Sequence, residues 1–328
     1  MEAHDLRRQR LTAGLLAPPR PSTAEDAVRH CLALQAQDTR AMHLAVRSRA
    51  DGAARRRTDR ALEQRTLVRT WLMRGTLHLV HADDVRWMLD LFGERAIRSS
   101  RRRLTQLGLT DGFLEGSVRA MADVFGDEPL TRPYLLSQLE DRGLTLPEAP
   151  QAAHHLLRYA ALRGAITRGP DDDEDDVPTF LWLDAHDRPG PELPRTEALQ
   201  HLGQRFLASR GPATADDLAA WSGLSKTDAR LALEGSEGTP EVRDSPPRLL
   251  GAFDELLLSW ADRDAFLPVE HAAKVRKGGV LRAGMLADDR IVGTWRYAGG
   301  SVALEPFDDA ADLARWVDEV DAVERFLG

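Results

Sequence analysis

Lysine is scarce in this sequence, and its scarcity limits the covalent chemistry open to the protein. Only three lysines occur among 328 residues, and the first of them is Lys226. An enzyme that works through a Schiff base needs a lysine amine at its reacting centre. Such a mechanism is excluded unless Lys226, Lys274 or Lys277 reaches that centre.

Cysteine and long apolar runs are also lacking. The single cysteine, Cys31, excludes an internal disulfide and is typical of a reducing compartment. No stretch approaches the roughly 18 consecutive apolar residues of a membrane-spanning helix. The first five residues also lack the basic-then-apolar order of a signal peptide. We therefore expect a cytoplasmic protein with no membrane partner.

Motifs for cofactors and metals are missing as well. No glycine-rich phosphate loop follows a strand-like run, and no Cys and His residues have the spacing of a zinc site. His154 and His155 are adjacent, so on a helix they would diverge rather than chelate one ion. We expect no cofactor and no metal site.

The charge of the chain is unevenly distributed around a net value of −8. Residues 1–110 carry 21 Arg, no Lys and 12 acidic residues, a balance of +9, whereas the remainder carries 23 basic and 40 acidic residues, a balance of −17. Because screening confines the field of a charge to about 8–10 Å, a basic first third can attract phosphates while the rest repels them. The alternative is an ordinary preference for arginine over lysine on solvated faces.

Helix and strand signals predict an α+β fold in four parts, 1–105, 106–190, 191–248 and 249–328. The first three parts show helices followed by a hairpin, or a helix-turn-helix, which predicts tandem winged-helix units. The last part has short apolar runs broken by Gly-Gly pairs. This pattern predicts a small β-rich C-terminal domain.

Local signals in the first part predict a helix and a wing. Ser22 and Glu25 form a capping-box pattern, and the apolar spacing that follows predicts a helix ending near Leu34. Residues 67–71 and 76–80 are strand-like runs with a short break between them. We expect these runs to pair as a hairpin.

The second part repeats this order and adds a dense acidic run. Helices are predicted over 129–140 and 151–163, and strands over 165–168 and 179–183. Residues 171–176 are all Asp or Glu, and like charges at this density cannot pack. We expect them to form a solvated loop that faces away from any phosphate backbone.

The later parts have clear helix boundaries. Thr214 and Ser225 are placed to cap two successive helices, and Gly223 makes the turn between them. A closing amphipathic helix is predicted over 312–327. Its expected inner side consists of Leu313, Trp316, Val317, Val320 and Val323. The tryptophans that lie in apolar runs, and that we assign to cores, are Trp71, Trp221 and Trp295.

The best candidate site is the tetrapeptide Gln35-Ala36-Gln37-Asp38, which we place on a connector after the first helix. Side chains at i and i+2 share one face on extended backbone but not on a helix. The two amides could therefore form a site, or they could brace the backbone. Asp38 is either an anionic partner or the cap of the next helix, and we favour the cap because Asp is common at helix starts.

Five segments of the sequence together resemble the AlkZ/YcaQ-type winged-helix DNA glycosylases. In chain order they are Leu34-Gln-Ala-Gln-Asp38, Arg69-Thr-Trp-Leu-Met-Arg-Gly-Thr-Leu-His78, Arg210-Gly-Pro-Ala-Thr-Ala-Asp-Asp217, Ala252-Phe-Asp-Glu255 and Val292-Gly-Thr-Trp295. The family signature is Gln-apolar-Gln or Gln-apolar-Asp. Gln at the second signature position resembles the AlkZ branch.

The resemblance implies a fold and an activity. The fold would be three tandem winged-helix units and a β-rich C-terminal domain, arranged as a C-shaped DNA cradle. The activity would be the removal of bulky N7- or N3-alkylated purines or the unhooking of crosslinks, often as self-resistance to a DNA-alkylating natural product. Gln35 and Gln37 would then be the catalytic residues of a monofunctional, metal-independent N-glycosyl hydrolase.

Several cationic or polar side chains are candidates for contact with the DNA backbone. Within the first part and in a glycine-hinged loop near the C-terminus, they are Arg40, Arg47, Arg69, Arg74, His78, Lys274, Arg276 and Lys277. The alternatives are wing packing for Arg74 and His78, ordinary surface exposure for Arg40 and Arg47, and a plain surface turn for the loop. The expected partner is double-stranded DNA that contains alkylpurine lesions, bound by a monomer.

Two other functions remain open. The first is a non-enzymatic winged-helix regulator or lesion-binding protein, which would place a recognition helix in the major groove. The equivalent segment, 225–233, is only weakly basic because Asp228 offsets Lys226 and Arg230. This favours the enzyme. The second is a family member that has lost activity and has another partner.

Overall fold

The computed structural model describes residues 3–52, 55–171, 177–183, 190–236, 241–308 and 310–328. Helices and antiparallel sheets make up a fold of mixed secondary structure, which confirms the predicted α+β class. The tandem winged-helix arrangement and the cradle stay predictions. Residues 172–176 of the acidic run lie outside the described ranges, so the predicted orientation of that run also stays a prediction.

The α-helices of the described ranges are distributed along the whole chain. They are α1 (Ala3–Ala13), α2 (Ala24–Cys31), α3 (Thr39–Arg49), α4 (Arg55–Glu63), α5 (Val85–Gln106), α6 (Asp111–Ala122), α7 (Arg132–Glu140), α8 (Ala152–Leu162), α9 (Arg195–Arg210), α10 (Ala215–Ser222), α11 (Lys226–Leu233), α12 (Glu255–Leu258), α13 (Ala272–Val275) and α14 (Val317–Leu327). None of them is long and apolar enough to cross a membrane.

Most strands of the described ranges are short, and half of them lie between residues 248 and 306. The strands are β1 (Leu34–Gln35), β2 (Leu67–Trp71), β3 (Leu77–His81), β4 (Leu130–Thr131), β5 (Ile166–Asp171), β6 (Pro178–Trp182), β7 (Arg248–Leu250), β8 (Arg276–Lys277), β9 (Val280–Leu281), β10 (Gly284–Ala287), β11 (Arg290–Ala298) and β12 (Ser301–Pro306). The predicted hairpins of the first and second parts are confirmed, since β2 pairs with β3 and β5 pairs with β6.

The chain divides into two compact units. Unit 1 consists of Met1–Thr58 and Leu199–Gly328, and unit 2 consists of Asp59–Ala198. The boundaries fall within α4 and α9. The predicted division into four parts stays a prediction.

Unit 1 contains an antiparallel sheet with the strand order β12-β11-β10-β7, and β8 and β9 form a separate hairpin. The sheet, α3 and α14 share a core that includes Leu44, Met285, Trp295, Trp316 and Val323. The indole Nε1 of Trp295 donates to the Leu250 carbonyl at 2.8 Å, so this buried polar group is satisfied.

Unit 2 packs its helices around a core that includes Trp71, Leu156 and Phe180. Its strands follow the order β3-β2-β5-β6-β4. A Cβ at Gly93 of α5 would lie 2.4 Å from the Leu162 carbonyl oxygen of α8. This close approach of α5 to α8 therefore requires glycine.

Helix capping confirms most of the predicted boundaries. Thr214 and Ser225 cap α10 and α11 through their hydroxyls, and Gly223 ends α10 with a φ of 76°. The predicted cap of α2 is wrong by one residue. Thr23, rather than Ser22, accepts the hydrogen bond from the Asp26 N–H.

The closing helix is confirmed, but two residues of its predicted inner side are wrong. Trp316 and Val323 are buried, whereas Leu313 and Val317 are 44% and 55% exposed. The helix α14 begins only at Val317, after a 3-10 turn over Ala314–Trp316. A 3-10 turn rotates successive side chains by a different angle from an α-helix. The α-helical spacing of apolar residues assumed for 312–317 therefore does not predict which of them face the core.

Candidate active site

The Gln motif lies on a non-helical connector between α2 and α3, as predicted. After α2 ends, Leu32 has φ 65° and ψ −57°, and the Ala33 N–H donates to the Cys31 carbonyl at 2.7 Å. These values define a γ-turn with positive φ, which is rare and strained for a residue with a side chain. The chain leaves this turn in an extended conformation over β1.

Burial along the connector alternates with the period of two that extended backbone imposes. Leu34 and Ala36 are fully buried, whereas Gln35 is half-buried and Gln37 is exposed. The Gln35 Nε2 donates to the Gln37 Oε1 at 3.1 Å. The two carboxamides therefore lie together on one side of the connector.

The hydrogen bond between the amides leaves one donor group and one acceptor available. The exposed Gln37 retains its NH₂ group, and among the described residues the buried Gln35 Oε1 has no hydrogen-bond partner. A buried acceptor without a donor is costly, so it calls for an explanation such as a site for water or substrate. A carboxamide can orient a water molecule and direct its dipole at a developing positive charge, but it is not a useful base.

Asp38 caps α3, as predicted. Its Oδ1 accepts a hydrogen bond from the Ala41 N–H at 2.7 Å. The C-terminal end of the connector is therefore fixed by Asp38, the cap of α3.

The buried carboxylate of Glu255 contacts the N-terminal end of the motif. The Gln35 N–H donates to Glu255 Oε1 at 3.0 Å, and Glu255 Oε2 accepts from the Trp221 indole at 2.8 Å and from Arg210 Nη2 at 3.3 Å. Burial lowers the pKa of Arg210, and the Glu255 charge partly opposes this shift. The sequence alone did not reveal a role for this pair, although Arg210 and Glu255 both occur in segments that carry the family resemblance.

A second buried ion pair lies nearby. Arg49, at the end of α3, donates to both carboxylate oxygens of Asp254 at 2.8 and 2.7 Å. Burial alone would lower the pKa of Arg49, but the Asp254 carboxylate outweighs burial and raises it. Asp254 also caps α12, so the pair joins α3 to the start of the helix that carries Glu255.

Four of the predicted DNA-contacting residues are exposed, namely Arg40, Arg74, Lys274 and Lys277. Arg40 lies in the first turn of α3, and its guanidinium carbon is 5.6 Å from the centre of the Tyr297 ring. Arg74 has a φ of 54° at the turn between β2 and β3. These positions suit phosphate contacts, and the contacts themselves stay predictions.

The buried members of the predicted set do not suit that role. Arg69 and His78 are 4% and 0% exposed, and the His78 Nδ1 lies 2.9 Å from the Thr76 carbonyl. Burial therefore argues against a phosphate role for these two residues, and their assignments stay predictions. Arg47 donates to both oxygens of Glu319 at 2.9 and 3.0 Å, which argues against a phosphate role for it as well.

The predicted glycine-hinged loop is a hairpin, which we call the basic hairpin (Arg276–Leu281). Gly278 and Gly279 have φ values of 59° and 82°, which a two-residue hairpin turn of this type requires. Arg276 forms an ion pair with Asp264, and Lys277 stands exposed beside the turn. A Cβ on either glycine would meet no atom within 4 Å, so the tip is open.

No group of three or more His, Cys, Asp or Glu residues in the described part of the chain is placed to hold a metal ion. The expectation of metal-independent chemistry rests on the sequence and the proposed reaction.

Comparisons with known proteins agree on one class. The sequence profile described as DNA glycosylase AlkZ-like matches residues 28–326. The chain is 26% identical over 340 aligned positions to the interstrand DNA cross-link repair glycosylase of Streptomyces sahachiroi, covering 93% of this chain and 90% of that protein. The structure of the DNA glycosylase AlkZ from the same organism superposes with a TM-score of 0.80 at 22% identity. It covers 99% of this chain and 96% of that one, which shows a shared fold.

These matches define the class of protein as a DNA glycosylase, which is an enzyme of DNA repair. Within that class, the chain belongs to the AlkZ-like family, whose profile covers most of its length.

Proposed function

We propose that this glycosylase hydrolyses the N-glycosidic bond of bulky N7- or N3-alkylated purines in double-stranded DNA, with Gln35 and Gln37 as its catalytic residues. The observation that carries the proposal is the hydrogen-bonded carboxamide pair on a fixed, non-helical connector. One amide offers a buried acceptor without a partner, and the other offers an exposed donor group.

The chemistry requires only a modest catalyst. An N7- or N3-alkylated purine is already cationic, so it leaves as a neutral base without being protonated. The C1′–N9 bond breaks with its electron pair going to the purine, water forms a bond to C1′, and the proton of that water passes to solvent. Amide dipoles fixed in advance can orient the water and stabilise the oxocarbenium-like sugar.

The proposed substrate class rests on the family resemblance and on a relative. That relative is named for the repair of interstrand cross-links, which are bulky lesions. A role in self-resistance to a DNA-alkylating natural product belongs to the same proposal. The arrangement of three winged-helix units and a β-rich domain as a DNA cradle is likewise part of it.

The alternative of a non-enzymatic regulator is less well supported. A regulator would use α11 as its recognition helix, with basic residues directed at the groove. Lys226 instead forms an ion pair with Asp216 at 2.9 Å, and Asp228 binds the Ser225 cap. Little net positive charge remains on the helix.

Incubation with DNA that carries defined lesions tests the proposal. Strand cleavage by alkali reveals an abasic site, so one panel can compare simple N7-methylguanine with a bulky intercalating adduct. We expect faster excision of the bulky adduct and no strand cleavage before alkali, because a monofunctional hydrolase leaves the sugar intact. Binding without any abasic product would favour the lesion-binding alternative.

A further inference from the structure

Two buried charged side chains of unit 1 make hydrogen bonds to the main chain of the catalytic connector. Arg210 is the last residue of α9 and Glu255 is the first residue of α12, and each is 4% exposed. Removing two charges from water is costly unless their partners are well placed. The placement of these partners shows what the pair holds.

Arg210 contacts the segment that leads into the Gln motif. Its Nη1 donates to the Cys31 carbonyl at 2.8 Å, and its Nη2 donates to the Ala33 carbonyl at 3.2 Å. Glu255 accepts the Gln35 N–H at 3.0 Å. The pair therefore binds the main chain at Cys31, Ala33 and Gln35, and the Arg210–Glu255 ion pair links these hydrogen bonds to one another.

The held segment includes the strained γ-turn. The Cys31 carbonyl that closes this turn is also an acceptor for Arg210, and Leu32 at its centre has positive φ. Strain of this kind persists only where the surroundings over-determine the backbone. The orientation of Gln35 depends on the turn, because Gln35 follows it by three residues on extended backbone.

The carboxylate of Glu255 is itself fixed by other donors. Its Oε2 accepts from Trp221 at 2.8 Å and from Ser259 at 3.2 Å. Ser259 also accepts from Arg210 Nε at 2.9 Å, and the Arg210 guanidinium stacks 4.2 Å from the Trp221 ring centre. The hydroxyl of Ser259 thus contacts both members of the pair.

We infer that Glu255 and Arg210 are positioning residues for the catalytic carboxamides, an inference that rests on the proposed function. They do not touch the reacting atoms. They hold the main chain at Cys31, Ala33 and Gln35 so that the Gln35 and Gln37 side chains keep one geometry. A displacement of about 1 Å in such a group can cost about 100-fold in rate.

The test compares conservative variants of the pair with a matched control. Glu255→Gln cannot accept from both the Gln35 N–H and the donors on its other side. Arg210→Lys keeps the charge but loses the planar fork that reaches two carbonyls. Glu319→Gln is the control, because Glu319 is also a buried carboxylate that accepts two arginines and one main-chain N–H, that of Leu249, away from the motif.

Single-turnover excision and DNA affinity are measured for each folded variant on the same lesion. We expect Glu255→Gln and Arg210→Lys each to lower the excision rate about 10- to 100-fold with affinity unchanged. Glu319→Gln should leave the rate of the folded enzyme unchanged. If the first two variants do not fold, Ser259→Ala removes only a hydroxyl and should still slow excision.

A double-mutant cycle with Gln37→Ala separates positioning from general structural damage. Adding Glu255→Gln to Gln37→Ala should cost much less than adding it to the wild type, because both act through the same amides. Multiplicative losses, wild-type rates in the variants of the pair, or an equal loss in Glu319→Gln would overturn the inference. A wild-type rate in Gln37→Ala alone would instead overturn the proposed catalytic pair.

Discussion

The Gln connector and the basic hairpin of unit 1 meet opposite structural requirements. The connector is held by a γ-turn, by a helix cap at Asp38 and by the buried Arg210–Glu255 pair. The hairpin has two glycines at an open tip with an exposed Lys277 beside them. The catalysis proposed for the connector needs fixed geometry, whereas the DNA contact proposed for the hairpin needs reach and positive charge. The contacts of the two segments differ in the way that these proposals require.

On the hairpin side of this comparison, the largest effect should come from removing the hairpin cations together with Lys274, which precedes them in α13. Changing Lys274, Arg276 and Lys277 together to Ala should lower excision of a bulky adduct about 10-fold or more, because three cations leave a surface proposed to enter a groove. The fold should remain stable, since Lys274 and Lys277 are exposed and Arg276 loses only its pairing with Asp264. Single-turnover excision and thermal unfolding measure the two effects.

The hairpin formed by β11 and β12 provides the control. It has the same Gly-Gly turn, with φ values of 60° and 81° at Gly299 and Gly300, but no lysine. Arg296→Ala on that hairpin removes a cation that is paired with Glu305 and should leave excision unchanged. Unchanged excision in the triple variant would show that the basic hairpin does not contact DNA and is an ordinary surface turn.

A smaller effect should distinguish two arginines of α3. Arg40 is exposed, so Arg40→Ala should weaken DNA binding for all sequences and reduce the salt slope of log K by about one. Arg47 is committed to Glu319, so Arg47→Ala should lower stability and leave the affinity of the folded protein unchanged. Binding titrations at several salt concentrations measure the affinity and the salt slope of both variants. Equal weakening by both changes would restore the phosphate role predicted for Arg47.

The smallest effect concerns acid stability. Burial alone would raise the pKa of Glu319, but hydrogen bonds and charge from Arg47, with the Leu249 N–H and Arg248, lower it below its ordinary 4.5. A carboxyl with a lowered folded pKa contributes stability that is fully present above about pH 4.5 and is lost as pH falls through the folded pKa.

The Glu319→Gln variant tests whether the stability contributed by Glu319 is lost, rather than gained, as pH falls. Its deficit in free energy of unfolding relative to wild type should be largest near neutral pH and should shrink as pH falls toward about 3. Urea unfolding at several pH values measures this difference. A deficit that grows on acidification would contradict the assignment.

Local features of the fold could be predicted because their causes are local. Thr214, Gly223 and Ser225 mark helix ends through contacts within four residues, and Asp38 does the same for α3. The connector itself was predictable because the signal of the first helix ends just before it and Asp38 offers a helix cap just after it. The long helix α5 was not predicted, because its many arginines obscure the apolar spacing of its buried face.

Roles that depend on distant partners could not be predicted. Arg47 and Arg40 look alike in sequence, yet Glu319, which neutralises Arg47, lies 272 residues further along the chain. The same limit applies to Glu255, whose contact with Gln35 spans 220 residues. Burial and pairing of charges are tertiary properties, so residue type alone did not separate exposed candidates for phosphate contact from buried, paired arginines.

In the proposed reaction, the two carboxamides act on the reacting bond rather than on DNA binding. Single-turnover excision of an N7-alkylguanine adduct at saturating enzyme, beside a binding titration, tests this role most directly for Gln37→Ala. We predict a loss of about 100-fold or more in excision rate, with affinity within about twofold of wild type, because the interaction strengthens only in the transition state. Equal losses of rate and affinity, or an unchanged rate, would contradict the claim.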